Sequence, residues 1–265
     1  MKRRVWLGVC AALAGLASLG TCVGCGGGES AIQTMDAAEV AAVFSTRDAG
    51  RLLELVGDGV GRREQFQGQA LSVWCVRANW PEGLEILDRA GYDPNAANTT
   101  EAAALLPGFA ALHVAILTDA TPNGRLDREA FVGRLLALGA NPNQPCRYDN
   151  AGVTLERATP LHCALLFPDT LRLDAHEATL RVCRRLLRAG AKPDVVSPRI
   201  VKGREDAVTP LSLAVRYGNA DLCRLLVEAG ANPRRDLGGG VTPLSLAQER
   251  GDTALLRILR GEKGR

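Results

Sequence analysis

Three histidines, eight cysteines and two glycine triplets are the residues of this 265-residue chain that could carry chemistry. His176 lies between Asp174 and Glu177, a grouping that suggests a solvated helix turn more than a ligand set. No His-x-x-x-His or Cys-x-x-Cys pair follows residue 25, so no metal-ligand spacing is present there. Cys22 and Cys25 have the Cys-x-x-Cys spacing but lack a βαβ context. Cys10 lies in the uncharged N-terminal run; beyond residue 25 stand Cys75, Cys146, Cys163, Cys183 and Cys223, and nothing pairs them with a base that would make a nucleophile. Cys183 and Cys223 each precede a turn glycine by seven residues, so they occupy one position in consecutive units. Packed helix axes lie about 8–10 Å apart, beyond the roughly 7 Å Cα limit for a disulfide, so both are expected to be buried thiols. Cys163 fills an apolar place in its segment and reads the same way. The partner of Cys146, and the redox state of Cys75 and Cys146, are left open. Gly26–Gly28 reads as a tether. Gly238–Gly240 lacks the strand and the Lys of a phosphate loop and reads as a turn.

The elements that would position these residues repeat along the chain. Thr159-Pro160-Leu161-His162-Cys163-Ala164, Thr209-Pro210-Leu211-Ser212-Leu213-Ala214, Thr242-Pro243-Leu244-Ser245-Leu246-Ala247 and Ala111-Leu112-His113-Val114-Ala115 align with one another. Leu138-Gly139-Ala140-Asn141-Pro142-Asn143, Ala189-Gly190-Ala191-Lys192-Pro193-Asp194 and Ala229-Gly230-Ala231-Asn232-Pro233 form a second set, echoed by Ala90-Gly91-Tyr92-Asp93-Pro94-Asn95. In Val208–Pro233, Thr209 caps a helix that Pro210 opens, and Gly218 and Asn219 end it. A second helix follows from Ala220 to Ala229, with Leu222, Cys223, Leu225 and Leu226 on one face and Gly230 as its positive-φ stop. Neither helix buries its stripe alone, so neighbouring units must cover it. Ala37–Leu55 reads as a helix pair broken at Thr46-Arg47-Asp48, with Val40, Val43, Phe44, Leu52, Leu53 and Leu55 as core.

This pattern resembles the ankyrin-repeat family. The resemblance implies an all-α solenoid of about six helix-turn-helix units with short hairpin fingers over residues 36–262, divided approximately as 36–62, 63–95, 96–143, 144–194, 195–233 and 234–262. It also implies that His113 and His162 hydrogen-bond near a helix start, a place that Ser212 and Ser245 take elsewhere. The turn glycines Gly91, Gly139, Gly190 and Gly230 are separated by 48, 51 and 40 residues, against about 33 in that family. The excess lies between helices, at Thr118–Asp127 and Phe167–Ala175, and in the fingers, at Gln144–Arg157 and Val195–Ala207.

At the N-terminus, Lys2, Arg3 and Arg4 precede an uncharged run from Val5 to Gly28, the form of a secretory signal and about long enough for a membrane anchor. Its end, Leu19-Gly20-Thr21-Cys22-Val23-Gly24-Cys25-Gly26, resembles the lipobox of bacterial lipoproteins. Cys25, with Val23 and Gly24 before it, is the favoured lipidation position; Cys22, with Leu19 but also Thr21, is the alternative. Residues 1–25 are then the signal and 26–35 a tether. The resemblance implies a periplasm-facing, lipid-anchored envelope protein, with Gly26 in the pattern for outer-membrane sorting. A soluble periplasmic or single-pass anchored chain is the other outcome.

Without the three basic residues of the signal, 29 Lys and Arg face 29 Asp and Glu, and only 4% of the chain is aromatic. A nucleic-acid-binding face needs a basic surplus and stacking aromatics, so that class is set aside. A monomeric, non-catalytic module that binds a protein partner through its concave finger and first-helix face is expected, with no cofactor and no metal. On that face belong Arg147, Tyr148, Asp149, Arg199, Lys202, Arg204, Arg216, Tyr217, Arg234 and Arg235. Finger loops 192–207 and 234–240 each carry net +1, which favours an acidic partner. The role could be that of a scaffold or of an immunity-type inhibitor of a toxic envelope hydrolase. An enzyme would need Asp149, Glu156, Asp174 and His176 in one pocket, and their spacing does not require it. A spacer without a specific partner is the third possibility.

Overall fold

A computed structural model describes residues 37–56, 65–99, 108–150, 152–166 and 173–262. The signal, its two candidate lipidation cysteines and the tether lie outside them. The chain divides into two compact units, residues 1–140 and 141–265.

In the first unit, helices α1 (Ala37–Thr46) and α2 (Ala49–Leu55) are separated where Arg47 takes a positive φ of 56° and Asp48 accepts the Arg51 N–H as N-cap. Val40, Val43, Phe44, Leu52 and Leu55 are buried as expected, whereas Leu53 is 54% exposed. A seven-residue helix turns one face inward, and Leu53 falls on the other. Strands β1 (Gln65–Phe66) and β2 (Gln69–Ala70) form a small hairpin that leads into α3 (Leu71–Arg77) and α4 (Pro81–Arg89). Phe44 and Phe66 each lie 5.7 Å from the Trp74 ring, Trp80 meets Phe44 at 6.3 Å, and the Arg77 guanidinium lies 5.6 Å from the centre of the Trp74 ring. Helices α5 (Ala111–Leu117) and α6 (Arg128–Ala137) complete the unit. Helix α3 packs on α5, α2 on α4 and α4 on α6, so first and second helices stack in register. The insertion at 118–127 is a hairpin of β3 (Ala120–Thr121) and β4 (Gly124–Arg125). It docks on the preceding repeat: Asn123 Nδ2 donates to the Ala78 carbonyl (2.8 Å) and Asn79 Nδ2 to that of Arg125 (3.4 Å).

The second unit departs from the all-α expectation. Strands β5 (Cys146–Asn150), β6 (Val153–Ala158), β7 (Ser197–Val201) and β8 (Arg204–Val208) form one antiparallel four-stranded sheet in that order. The two long fingers supply it. Strands of five or six residues present more backbone N–H and C=O groups than one hairpin satisfies, and the inner edges β6 and β7 pair with each other. Helices α7 (Pro160–Leu166), α9 (Pro210–Tyr217) and α11 (Pro243–Glu249) stack as first helices. Helices α8 (Leu173–Arg188), α10 (Ala220–Glu228) and α12 (Thr253–Leu259) stack as second helices. Helix α8 takes in the last three residues of the expected 167–175 insertion; 167–172 lie outside the described residues.

One device opens four first helices. Ser212 Oγ accepts the Thr209 N–H and Ser245 Oγ that of Thr242, both at 2.9 Å, while each threonine hydroxyl accepts the serine N–H in return. His162 Nδ1 accepts the Thr159 N–H and His113 Nδ1 that of Ala110, both at 3.2 Å. Ala110 has no side-chain acceptor, so α5 keeps half of the exchange. Histidine and serine at this position therefore fill the same role, a capping box closed from the third helical residue.

Candidate functional site

Strand register sets the site. Tyr148 pairs with Leu155, Leu155 with Arg199 and Arg199 with Asp206, so the four side chains form a row across one face of the sheet. The row grades from apolar to charged. Leu155 is buried, and Tyr148 is only 7% exposed, with its hydroxyl accepting from Asn150 Nδ2 (3.2 Å). Tyr148 was expected on the binding surface; alternation along β5 turns it inward with Cys146 and leaves Arg147 and Asp149 out. Burial raises its pKa, and the nearby Cys163, Tyr217 and Cys146 add to the shift.

At the charged end Asp206 accepts from both Arg199 nitrogens that face it, at 2.7 Å from Nε and through a second bond from Nη2. It also accepts from Arg216 Nη2 at 3.2 Å. Arg216 stands in the last turn of α9, so the finger and the first helix meet on one carboxylate. Its pKa is lowered, first by burial and then by Arg199, against the pull of Asp206 and Glu249. Its Nε is buried without a hydrogen-bond partner, and its carbonyl accepts from Arg250 Nη1 (3.0 Å). Tyr217, the next residue, is 49% exposed. Two guanidiniums over one carboxylate leave a positive, partly desolvated spot beside a half-exposed aromatic ring. That combination suits an acidic side chain delivered by a partner.

Of the expected surface residues, Arg199, Arg216 and Tyr217 are brought together, and Tyr148 lies under them. Arg147 instead faces Glu156 (3.6 Å), and Asp149 accepts from Thr154 (3.1 Å). Lys202 and Gly203 form the positive-φ turn between β7 and β8, with Arg204 exposed beside it. Arg234 and Arg235 are exposed in the turn after α10, where Arg234 borders an open depression with Pro233, Leu244 and Leu259. Asp206, which organises the cluster, was not singled out by sequence reasoning. Arg199 and Asp206 stand three residues to either side of the Lys202–Gly203 turn, and that placement was the signal available.

Of the residues weighed for catalysis, Asp149, Glu156 and His176 each have a separate partner, and the Asp174 side chain lies outside the described ones. Glu156 faces Arg147, Asp149 faces Thr154, and His176 binds Asn219 Nδ2 (2.9 Å) and Asp221 (3.3 Å) at the start of α10. Among the described residues no group of three or more His, Cys, Asp or Glu is placed to hold a metal, and no helix is long and apolar enough to cross a membrane. All five described cysteines are buried thiols. Burial pushes Cys183 and Cys223 up to about 12 and raises Cys75 further.

A second recurring contact was not read from the sequence. In the turns that begin at Gly91, Gly139 and Gly190, the residue after the proline reaches into the next turn. Asn95 Nδ2 donates to the Gly139 carbonyl (3.2 Å) and Asn143 Nδ2 to that of Gly190 (2.9 Å). Asn143 Oδ1 accepts the Lys192 N–H (2.7 Å), and Asp194 accepts that of Asn232 (2.9 Å). The Asn-Pro-Asn and Lys-Pro-Asp strings are thus ladder rungs between repeats.

These features define a helix-pair repeat with finger hairpins. Residues 171–265 match the family model for ankyrin repeats, in three copies. The human neurogenic locus notch homolog protein 4 is 40% identical over 108 residues, 41% of this chain. The match spans 4% of that protein's length. Over residues 171–265 the chain is thus similar to ankyrin repeats.

Proposed function

We propose that the chain is a non-catalytic protein-binding module. Its binding face is formed by the fingers and first helices of the second unit, and its partner docks an acidic segment on Arg199, Arg216 and Tyr217. The observation that carries this reading is the convergence of a finger arginine and a helix arginine on Asp206, with an unsatisfied Arg216 Nε and a half-exposed Tyr217 alongside. Arginine and tyrosine are over-represented among the residues that dominate protein interfaces. In this reading, ankyrin-type repeats extend over 36–262, and the N-terminal 25 residues export the chain and lipidate Cys25, or Cys22, in a bacterial envelope. The lipobox-like sequence supports that location.

The test compares the full chain with its Arg216→Glu, Tyr217→Ala variant, each tagged at the C-terminus and crosslinked in cells. One partner recovered near equal stoichiometry by the parent and lost from the variant, with unchanged helical circular dichroism, supports the face. Equal recovery by both refutes it. Recovery by neither points to a spacer. If the partner is a hydrolase silenced by this chain, the role is inhibition. Metabolic palmitate labelling that Cys25→Ser abolishes, and Cys22→Ser does not, tests the anchor.

A further inference from the structure

Cys146 and Cys163 lie 17 residues apart, one at the start of a finger strand and the other on the first helix that the finger leads into. Their sulfurs are 3.9 Å apart, and both side chains are buried. A disulfide needs the sulfurs at about 2.05 Å, so the two must close by roughly 2 Å. The backbone favours such an adjustment at this point. Between Cys146 and Tyr148 the β5–β6 register shifts, with the extra residue on β6 between Leu155 and Ala158, so the ladder is interrupted beside the first cysteine. Strand β5 is also an edge strand, held by ladder bonds on one side only. Cys163 is fixed: its N–H donates to the Thr159 carbonyl in the first turn of α7.

We propose that Cys146 and Cys163 are a disulfide-forming pair, and that their oxidation staples the first long finger to its helix beneath the binding face. The oxidant is a disulfide, carried by an oxidoreductase or by oxidised glutathione. One cysteine thiolate attacks it and forms a mixed disulfide, releasing the first thiol. The other cysteine thiolate then attacks the protein sulfur of that mixed disulfide and releases the second. Two protons leave the cysteines, two appear on the released thiols, and two electrons pass from the pair to the oxidant. The Cys146 sulfur contact, and then burial, hold the Cys163 thiol well above its ordinary range, so exchange in the closed structure is slow. The bond therefore forms as the chain folds or when β5 lifts. The pair also accounts for Cys146, which sequence position alone left without a place.

The staple acts on the site through strand order. Cys146 begins the strand that carries Tyr148, and Tyr148 starts the row that ends at Arg199 and Asp206. Fixing that strand to α7 fixes the inner end of the row without contributing a contact of its own to a partner.

The experiment uses the full chain, unfolded and reduced, then refolded either in oxidised glutathione or in excess reductant, alkylated and digested with trypsin. In the oxidised sample, peptide 135–147 is expected joined to peptide 158–172, the species vanishing on reduction and in Cys146→Ser. Limited trypsinolysis after the exposed Arg147 is expected to slow by at least about tenfold in the linked form, because the opening that exposes this bond is restrained. Recovery of both peptides fully alkylated after oxidative refolding overturns the proposal, as does linkage of either cysteine mainly to Cys75, Cys183 or Cys223. Should Cys146→Ser fail to fold, the peptide map of the parent chain decides alone.

Discussion

His162 makes the second unit sensitive to acid in a defined window. Its ring is fully buried, Nδ1 accepts the Thr159 N–H, and Nε2 lies close to the Val195 and Val208 carbonyls without full hydrogen-bond geometry. Burial pushes its pKa down from 6.5 to about 4, only partly opposed by those carbonyls. Nδ1 accepts a backbone proton, so a second proton there would destroy the cap and leave a buried charge. Between the two pKa values the unfolded chain binds a proton that the folded chain refuses, so stability rises with pH across the window and falls as pH drops. The contribution is complete above about pH 6.5, loses about 1 kcal/mol by pH 5.5, and loses on the order of 3 kcal/mol once pH passes 4. His162→Ser isolates the effect, because Ser212 and Ser245 already close the same capping box in the next two repeats. The variant loses packing volume and is expected to be less stable at pH 7 by about 1–3 kcal/mol. Urea denaturation of both proteins at pH 7, 5.5 and 4.5, followed by circular dichroism, gives the difference. That difference should shrink by about 2–3 kcal/mol between pH 7 and 4.5. A gap that stays constant within about 0.5 kcal/mol would refute the neutral buried base and its tautomer, since a two-unit shift cannot hide in so small a change.

Further outcomes follow from single contacts. Asn143→Ala removes two inter-repeat hydrogen bonds at an exposed rung and should cost about 1 kcal/mol, read as a lower denaturation midpoint; an unchanged midpoint would mean that water replaces the rung. Thr209→Ala deletes a buried cap acceptor for the Ser212 N–H and should cost about 1–2 kcal/mol, with faster hydrogen exchange confined to the start of α9. Gly218→Ala places a side chain at φ 72° with its Cβ 2.8 Å from Arg250 Nη2. It should cost about 1 kcal/mol, and loss of the Arg250 bond to the Arg216 carbonyl should show as a shifted Arg250 Nε–H resonance.

The sequence located helix starts and stops closely because each depends on a few adjacent residues. Gly91, Gly139, Gly190 and Gly230 all adopt the positive φ that their place after a second helix requires. The burial of Cys183 and Cys223 also followed from equivalent positions in a short repeat. Leu53 and Tyr148 were misplaced for a common reason: an apolar or aromatic residue in a short element faces inward or outward according to what packs on it. Finger length was visible as excess spacing between turn glycines, but its use was not. Whether two long hairpins remain separate or join depends on their lateral spacing, which the stacking of α7 on α9 sets.

By itself the sequence determined the repeat: capping boxes, glycine stops and apolar stripes are local, and each acts within one or two helical turns. Tertiary structure alone decided the arginine cluster on Asp206 and the thiol pair. Arg199 and Arg216 meet Asp206, and Cys146 meets Cys163, through strand register and helix stacking between segments up to 17 residues apart. Side-chain periodicity is two in a strand and 3.6 in a helix, and only packing fixes how the two periods are phased against each other.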